Sequence, residues 1–376
     1  MKIDCINLRK VFNSRGEETT EATLFSGDKI GIGIAPSGAS VGSKEAKLIN
    51  LDEGIKNFNK IKNKFIGEFS REEFDLLLMN NLEKIGSNLT TSLSFAFFNL
   101  ERDSFVSKVS GEFPIPLGNV IGGGVHHGKT DIQEILLLPV KAKNIFDAVK
   151  TNFRIWNEIR ERYKNKYLGL NDEGALAMNF KNEESLEKVS EIAKEYKVKI
   201  GIDLAASELF RRGKYVYKDK KVGKEEQIDL ISKWIKDYKL YFVEDPFEEN
   251  DFFGFRELTK KFRNKCLICG DDIFATQVKR LNGELANSVI IKPNQVGTIT
   301  GALNCIKKAK ELKMVPVLSH RSGETCDSTI SSLSLLTKIA KFGISQIRIA
   351  KLNELIRLWD LLKIMGKKPR MAKLNP

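Results

Sequence analysis

Histidine is almost missing from this chain: three residues in 376, at positions 126, 127 and 320. Cysteine is scarce too, with five residues, and an odd count in a long chain argues against a disulfide framework. The Cys266-Leu267-Ile268-Cys269 spacing lies in an apolar run with no second pair to complete a tetrahedral zinc site, so both thiols read as core. No apolar run approaches the roughly 18–20 residues that span a bilayer. The opening Met1-Lys2-Ile3-Asp4-Cys5-Ile6 has no signal-peptide core, so a cytoplasmic location is expected. RNP, zinc-finger and Walker patterns are missing, as are internal repeats and basic blocks interleaved with aromatics. Nucleic acid is therefore not the expected partner.

What is present is charge. The chain is 41% hydrophobic and 30% charged, with a net charge of +13, the composition of a globular protein. The excess is lysine spread over solvated helix faces, as in Lys60-Ile61-Lys62-Asn63-Lys64 and Lys307-Lys308-Ala309-Lys310. Such a balance speaks to solubility and to anionic partners, including a small phosphorylated substrate.

The first 45 residues carry short strand-like runs, 3–11, 19–25 and 30–35, with a turn at Ser26-Gly27-Asp28. Helical periodicity follows over 44–65, 71–85 and 92–106, and Ser110-Gly111-Glu112-Phe113-Pro114 is the best linker candidate. After it, strand-like runs recur at 115–121, 132–140, 199–204, 240–244, 267–271, 289–292, 315–319 and 344–348, with helix-like stretches at 144–163, 183–196, 225–238, 251–262, 299–313 and 328–342 between most of them. This predicts an α/β fold: an irregular (β/α)8 TIM-type barrel (111–376) preceded by an N-terminal α+β domain (1–110). About ten residues separate the first two barrel strands, too few for a crossover helix, so that pair should be antiparallel.

Four consecutive apolar runs end alike, at Asp203, Glu244, Asp271 and Lys292, and the next ends in Ser319-His320-Arg321. In a β/α barrel these ends converge on one face. Three converging carboxylates repel unless neutralised, and all-oxygen ligation selects a hard dication such as Mg²⁺. A lysine beside them, its pKa lowered by burial and by the cation, would serve as a general base for a proton next to a carboxylate. Gln133-Glu134 and Asp172-Glu173-Gly174 supply further carboxylates, one of which could protonate a leaving hydroxyl.

At this point the chain resembles the enolase family over nearly its whole length. Asn13-Ser14-Arg15-Gly16 is similar to the family's D-S-R-G, Pro36-Ser37-Gly38-Ala39-Ser40 to its mobile P-S-G-A-S loop, and residues 119–128 to N-V-I-N-G-G-x-H-A-G. Gln133-Glu134, Asp172-Glu173-Gly174, Asp203–Glu208, Glu244–Phe247, Gly270–Asp272, Lys292–Gly297 and Ser319–Thr325 follow in family order. A lysine base with a magnesium-stabilised ene-diolate is the known chemistry of enolase-superfamily sites, so here it is recognised and not deduced. The resemblance implies reversible dehydration of 2-phosphoglycerate, with two magnesium ions per site. It implies Asp203, Glu244 and Asp271 on the tighter ion and Ser40 on the second; Lys292 as base; and Glu173 with Glu134 assisting departure of the hydroxyl. It also implies His320 at the leaving group, Gln133 and His126 near substrate, and Arg321 with Ser322 on the phosphate, which a guanidinium fork suits. A homodimer is implied as well, with Arg9 and Glu21 meeting Asp360 and Arg357 of a second copy.

The last strand departs from the pattern. The family reads Q-I-K-T-G-A-P-x-R-S-E-R-L-A-K, whereas Gln346-Ile347-Arg348-Ile349-Ala350-Lys351 runs on without that loop. Arg348 is expected to stand in for the lysine at the substrate, or else the lysine went with a deletion. The alternatives to dehydration are therefore an impaired relative acting as a binding or regulatory protein, or a lyase on a related hydroxy-acid phosphate.

Overall fold

The computed structural model describes residues 1–38, 44–124 and 128–374, so Ser40 and His126 lie outside the described residues. The chain begins with an antiparallel meander, β1 (Cys5–Phe12), β2 (Glu18–Ser26) and β3 (Lys29–Ile34), turning at Gly27 with φ 59°. Three helices follow: α1 (Leu51–Ile61), α2 (Arg71–Met79) and α3 (Leu82–Lys108). Ser70 caps α2 in a reciprocal box with Glu73, satisfying backbone donors that the first turn leaves open. Phe58, Phe65, Phe74, Leu89 and Phe97 pack with Ile6 and Leu24 into one core.

Strand β3 meets α3 through glycines two residues apart, which puts both on one face. A Cβ on Gly31 would lie 2.1 Å from the Ala96 carbonyl oxygen, and one on Gly33 would lie 2.4 Å from the Ser92 carbonyl oxygen. The two backbones touch because neither residue has a side chain.

The barrel staves are β4 (Ile115–Pro116) continuing as β5 (Gly118–Gly122), then β6 (Glu134–Leu138), β7 (Lys199–Asp203), β8 (Phe242–Glu244), β9 (Leu267–Gly270), β10 (Ser288–Ile291), β11 (Val315–Ser319) and β12 (Ile339–Lys341). From β7 to β12 each strand is parallel to the next. Strand β6 is antiparallel to both of its neighbours, the irregularity expected from its short connection. Closure runs through Leu117: β4 pairs with β12 and β5 with β6, making 115–122 one stave. A hairpin of Tyr167–Leu170 and Leu176–Met178 adds to the outer edge of β5.

Side chains alternate along each strand. One set fills the barrel interior: Leu136, Leu138, Phe242, Cys269, Ile290, Val317 and Ile339. The other packs outward against α4 (Ile145–Arg162), α5 (Asn182–Glu195), α6 (Lys224–Asp237), α7 (Phe252–Phe262) and α8 (Ile299–Glu311).

Three expectations need correction. The segment after residue 110 is no free linker: Glu112–Phe113 pairs in parallel with Arg370–Met371. The helix expected to run to Phe342 stops at Ser334 (α9, Thr329–Ser334). The last stave is therefore Ile339–Lys341, while Gln346–Arg348 forms a 3-10 turn into α10 (Ile349–Ile364).

Substituting Gly33→Ala should force β3 off α3 and destabilise the fold by about 1–3 kcal/mol, as overpacking does. The check is a lower urea midpoint with an unchanged denaturant slope.

Candidate active site

The polar residues at the barrel mouth occupy inward positions one pleat beyond the apolar interior. Glu134 continues the Leu136 and Leu138 set, Glu244 continues Phe242, Asp271 continues Cys269, Lys292 continues Ile290 and Lys341 continues Ile339. Because β6 runs backwards, its first residue lies at the end where the others have their last. Asp203 is accordingly in register with Glu134 on one side and Glu244 on the other.

A single ammonium joins that row. Lys341 Nζ donates to Asp203 at 2.9 Å and to Glu244 at 2.8 Å, and it forms an ion pair with Glu134 at 2.6 Å. All four side chains are buried. Burial opposes the lysine's charge, but Asp203, Glu134 and Glu244 outweigh it and its pKa rises. One positive charge does not balance three negative ones. Burial first, then Asp203, holds Glu244 well above the usual carboxylate range, and burial pushes Glu134 up to about 7 despite Lys341.

Across the barrel Lys292 contacts Asp271. The sequence argument expected this lysine's pKa to be lowered; here it is raised, since burial works against the charge but the adjoining Asp271 carboxylate prevails. Asp271 in turn sits below its ordinary value, Lys292 overcoming the effect of burial. The backbone N–H groups of Asp271 and Asp272 donate to Asp245 at 2.8 and 2.9 Å, fixing the turn that aims Asp271.

The donor set suits a hard cation. Glu244 Oε1 and Asp271 Oδ1 are buried oxygens without a hydrogen-bond donor, an expensive state unless something positive faces them. The three expected ligands do not themselves form a compact triad. Among the described residues, ligand atoms come within 4.8 Å of one another in two other groups, Glu134/Glu173/His320 and Asp245/Asp271/Asp272. The first already receives hydrogen bonds: Asn119 Nδ2 donates to Glu134 at 3.0 Å and to Glu173 at 3.2 Å.

The sequence is similar to those of proteins of known name. Residues 110–369 match the family described as Enolase, C-terminal TIM barrel domain. The enolase of Archaeoglobus fulgidus is 39% identical over 405 aligned positions, covering 100% of both chains. That of Methanosphaera stadtmanae is 41% identical over 99% of both, and that of Methanothermobacter thermautotrophicus 38% identical over 95% of this chain and 96% of its own. This chain belongs to the enolase family. It is accordingly an enzyme of the carbon–oxygen lyase class.

Within an enolase the last stave becomes readable. The closing stave ends in Lys341-Phe342-Gly343, which is similar to the K-T-G of the family pattern, and Arg348-Ile349-Ala350-Lys351 is similar to its R-L-A-K. The stave therefore ends in a lysine, and the expectation that Arg348 replaced it, or that a deletion removed it, is corrected. Arg348 does not line the cavity. It is fully buried, donating from Nε to His320 Nδ1 at 2.8 Å and from its terminal nitrogens to the carbonyls of Asp172, Arg321 and Ser322. The ground for reading the chain as a non-catalytic relative goes with that correction.

The remaining expected residues gather at the same mouth. A cavity of about 750 Å³, open mouth included, is lined by Gln133, Glu134, Glu173, Asp203, Asp271, Lys292, His320, Arg321, Ser322 and Lys341 among others. Gln133 Nε2 lies 3.4 Å from Asp203. Arg321 gives both terminal nitrogens to Glu45, at 2.8 and 3.1 Å. Ser37 and Gly323 exchange backbone hydrogen bonds, tying Ser37 to the Ser319–Thr325 segment. Lys341, Asn119, Asp245 and Glu45 were missed in the sequence reading. Lys341 had a visible signal, since Ile339-Ala340-Lys341 ends as Ile290-Ile291-Lys292 does.

Glu134 carries a pH prediction. Between about pH 4.5 and 7 the folded chain holds a proton there that the unfolded chain has lost, so this group's stabilisation falls as pH rises through that window. In metal-free buffer the urea midpoint should drop between about pH 5 and 7.5, and Glu134→Gln should flatten the slope. An equally steep slope in the variant would contradict the assignment.

Proposed function

We propose that this enolase-family chain catalyses the reversible, magnesium-dependent dehydration of 2-phosphoglycerate to phosphoenolpyruvate. One observation carries the reading: Lys292 and Glu134 face a common cavity from opposed staves, β10 and β6, four apart in a ring of eight, and Glu173 joins Glu134 there from the turn of the 167–178 hairpin. Lys292 would take the proton from the carbon bearing the carboxylate and phosphate. Glu173, with Glu134, would hand a proton to the departing hydroxyl on the next carbon. Two carboxyls in contact do not both ionise readily, which keeps a proton available there near neutral pH.

Asp203, Glu244 and Asp271 would hold the tighter magnesium and Ser40 would help hold the second, supplying positive charge to the substrate carboxylate as negative charge builds on it. A dication on Asp271 would also remove that carboxylate's hold on the Lys292 proton, bringing the lysine toward the neutral form a base requires. Arg321 and Ser322 would seat the phosphate, with Gln133, His126 and His320 completing the contacts.

In the family's subunit pairing, Arg9 and Glu21 would meet Asp360 and Arg357 of a second copy. Within the chain Arg9 now lies 3.2 Å from Glu21, and Arg357 lies 2.6 Å from Glu354.

Purified protein given Mg²⁺ and 2-phosphoglycerate should produce enol absorbance; no rise would sink the proposal. Lys292→Ala should lower turnover by about 10²–10⁴-fold, the usual worth of a positioned base. It should also stop exchange of the α-proton with deuterated solvent while magnesium binding persists.

Glu45 makes a second prediction. It occupies the fork of Arg321 that a phosphate would need, so substrate and carboxylate compete. Glu45→Gln should lower KM by about tenfold, roughly one charge-assisted hydrogen bond, and an unchanged KM would mean the phosphate is held elsewhere.

A further inference from the structure

Arg348 is a guanidinium with no solvent exposure, a costly arrangement that its bonds must explain. Its planar fork reaches two separate segments of the site, at Asp172 and at His320-Arg321-Ser322. Nη1 donates to the Asp172 carbonyl at 3.2 Å, next to Glu173. Nη2 donates to the carbonyls of Arg321 and Ser322 at 3.2 and 2.8 Å, and Nε donates to His320 Nδ1 at 2.8 Å. An arginine side chain has donors only and does not lose its proton in a protein. The direction of the last bond is therefore fixed: Nδ1 must accept, and so carries no hydrogen. Which nitrogen of a histidine bears the proton is set by the bond its other nitrogen makes.

We propose that Arg348 is a positioning residue that holds His320 as the neutral Nε2–H tautomer, making the ring a hydrogen-bond donor, and never an acceptor, toward the reacting groups. His320 lies with Glu134 and Glu173, one ligand atom of each within 4.8 Å of the others. Protonating Nδ1 would aim a second N–H at the guanidinium. Burial, and then Arg348, Lys341, Lys351 and Lys292, oppose that charge. In this arrangement the two carboxyls manage the proton, and the ring steadies the oxygen that receives it. What the ring donates to rests on the proposed dehydration; its tautomer does not.

The test uses the full chain labelled with ¹⁵N in histidine and arginine, where three imidazoles give a spectrum simple enough to assign with His126→Gln and His127→Gln. The expected result is one protonated nitrogen on ring 320, Nε2, at neutral pH, with a coupling across the hydrogen bond between Arg348 Nε and His320 Nδ1. A proton on Nδ1, on both nitrogens, or a mixture of tautomers overturns the proposal, whatever the enzyme's activity. Arg348→Gln should mix the tautomers and lower kcat by about 10–100-fold, the range seen when a group orienting a site residue is lost, with KM within about threefold. A variant that keeps the Nε2–H tautomer, or full kcat with mixed tautomers, also overturns it. Should that variant fail to fold, the wild-type spectrum still decides.

Discussion

One ammonium surrounded by three buried carboxylates sets the terms for the rest of the barrel mouth. Lys341 reaches across to Glu134, Asp203 and Glu244 from the closing stave, so it reports on the correct assembly of half the ring. Breaking such a cluster by removing one partner typically costs several kcal/mol, because the groups left behind stay buried and charged. The charge mismatch is as informative as the contacts. Burial, and with it the surplus negative charge, raises the Glu244 pKa, and its Oε1 has no donor. A site in that condition is prepared for a cation or for protons, and an enolase needs both.

The two lysines divide the work by geometry. Among the described residues Lys292 rests on one carboxylate, Asp271, whereas Lys341 is held from three directions. A base must be able to give up its proton, and one carboxylate partner is easier to neutralise than three. Similar logic separates the arginines. Arg321 offers its fork to Glu45 at the cavity, while Arg348 lies behind it, bonded to the His320 ring and to backbone carbonyls. Residues of the same type therefore differ in role according to what already touches them.

Much of this could be read before any coordinates. Helices α4 to α8 match their expected bounds to within a residue or two, as with 144–163 against Ile145–Arg162 and 225–238 against Lys224–Asp237. Long periodic stretches and apolar runs ending in a charge are strong signals. The last stave was illegible because three residues are too few to show alternation, and Ser331–Ala340 also fits a helix. Thr337 Oγ1 bonds to the Ser334 and Ile339 carbonyls where the helix has given way to the strand, a tertiary detail no window of sequence displays. Arg348 was misjudged for a related reason: a cation near a strand end looks like a ligand for substrate, and only burial reveals that it faces inward.

The contact between the first and last parts of the chain has a consequence for biosynthesis. Ser14 N–H bonds to the Glu324 carbonyl at 2.6 Å, and Ser37 pairs with Gly323, across some three hundred residues. The stave at 115–122 is likewise sealed by residues beyond 338. Contacts so distant along the chain are slow to form. A ribosome must therefore release nearly all of the polypeptide before the catalytic mouth can exist, and until then the charged inward row waits in water.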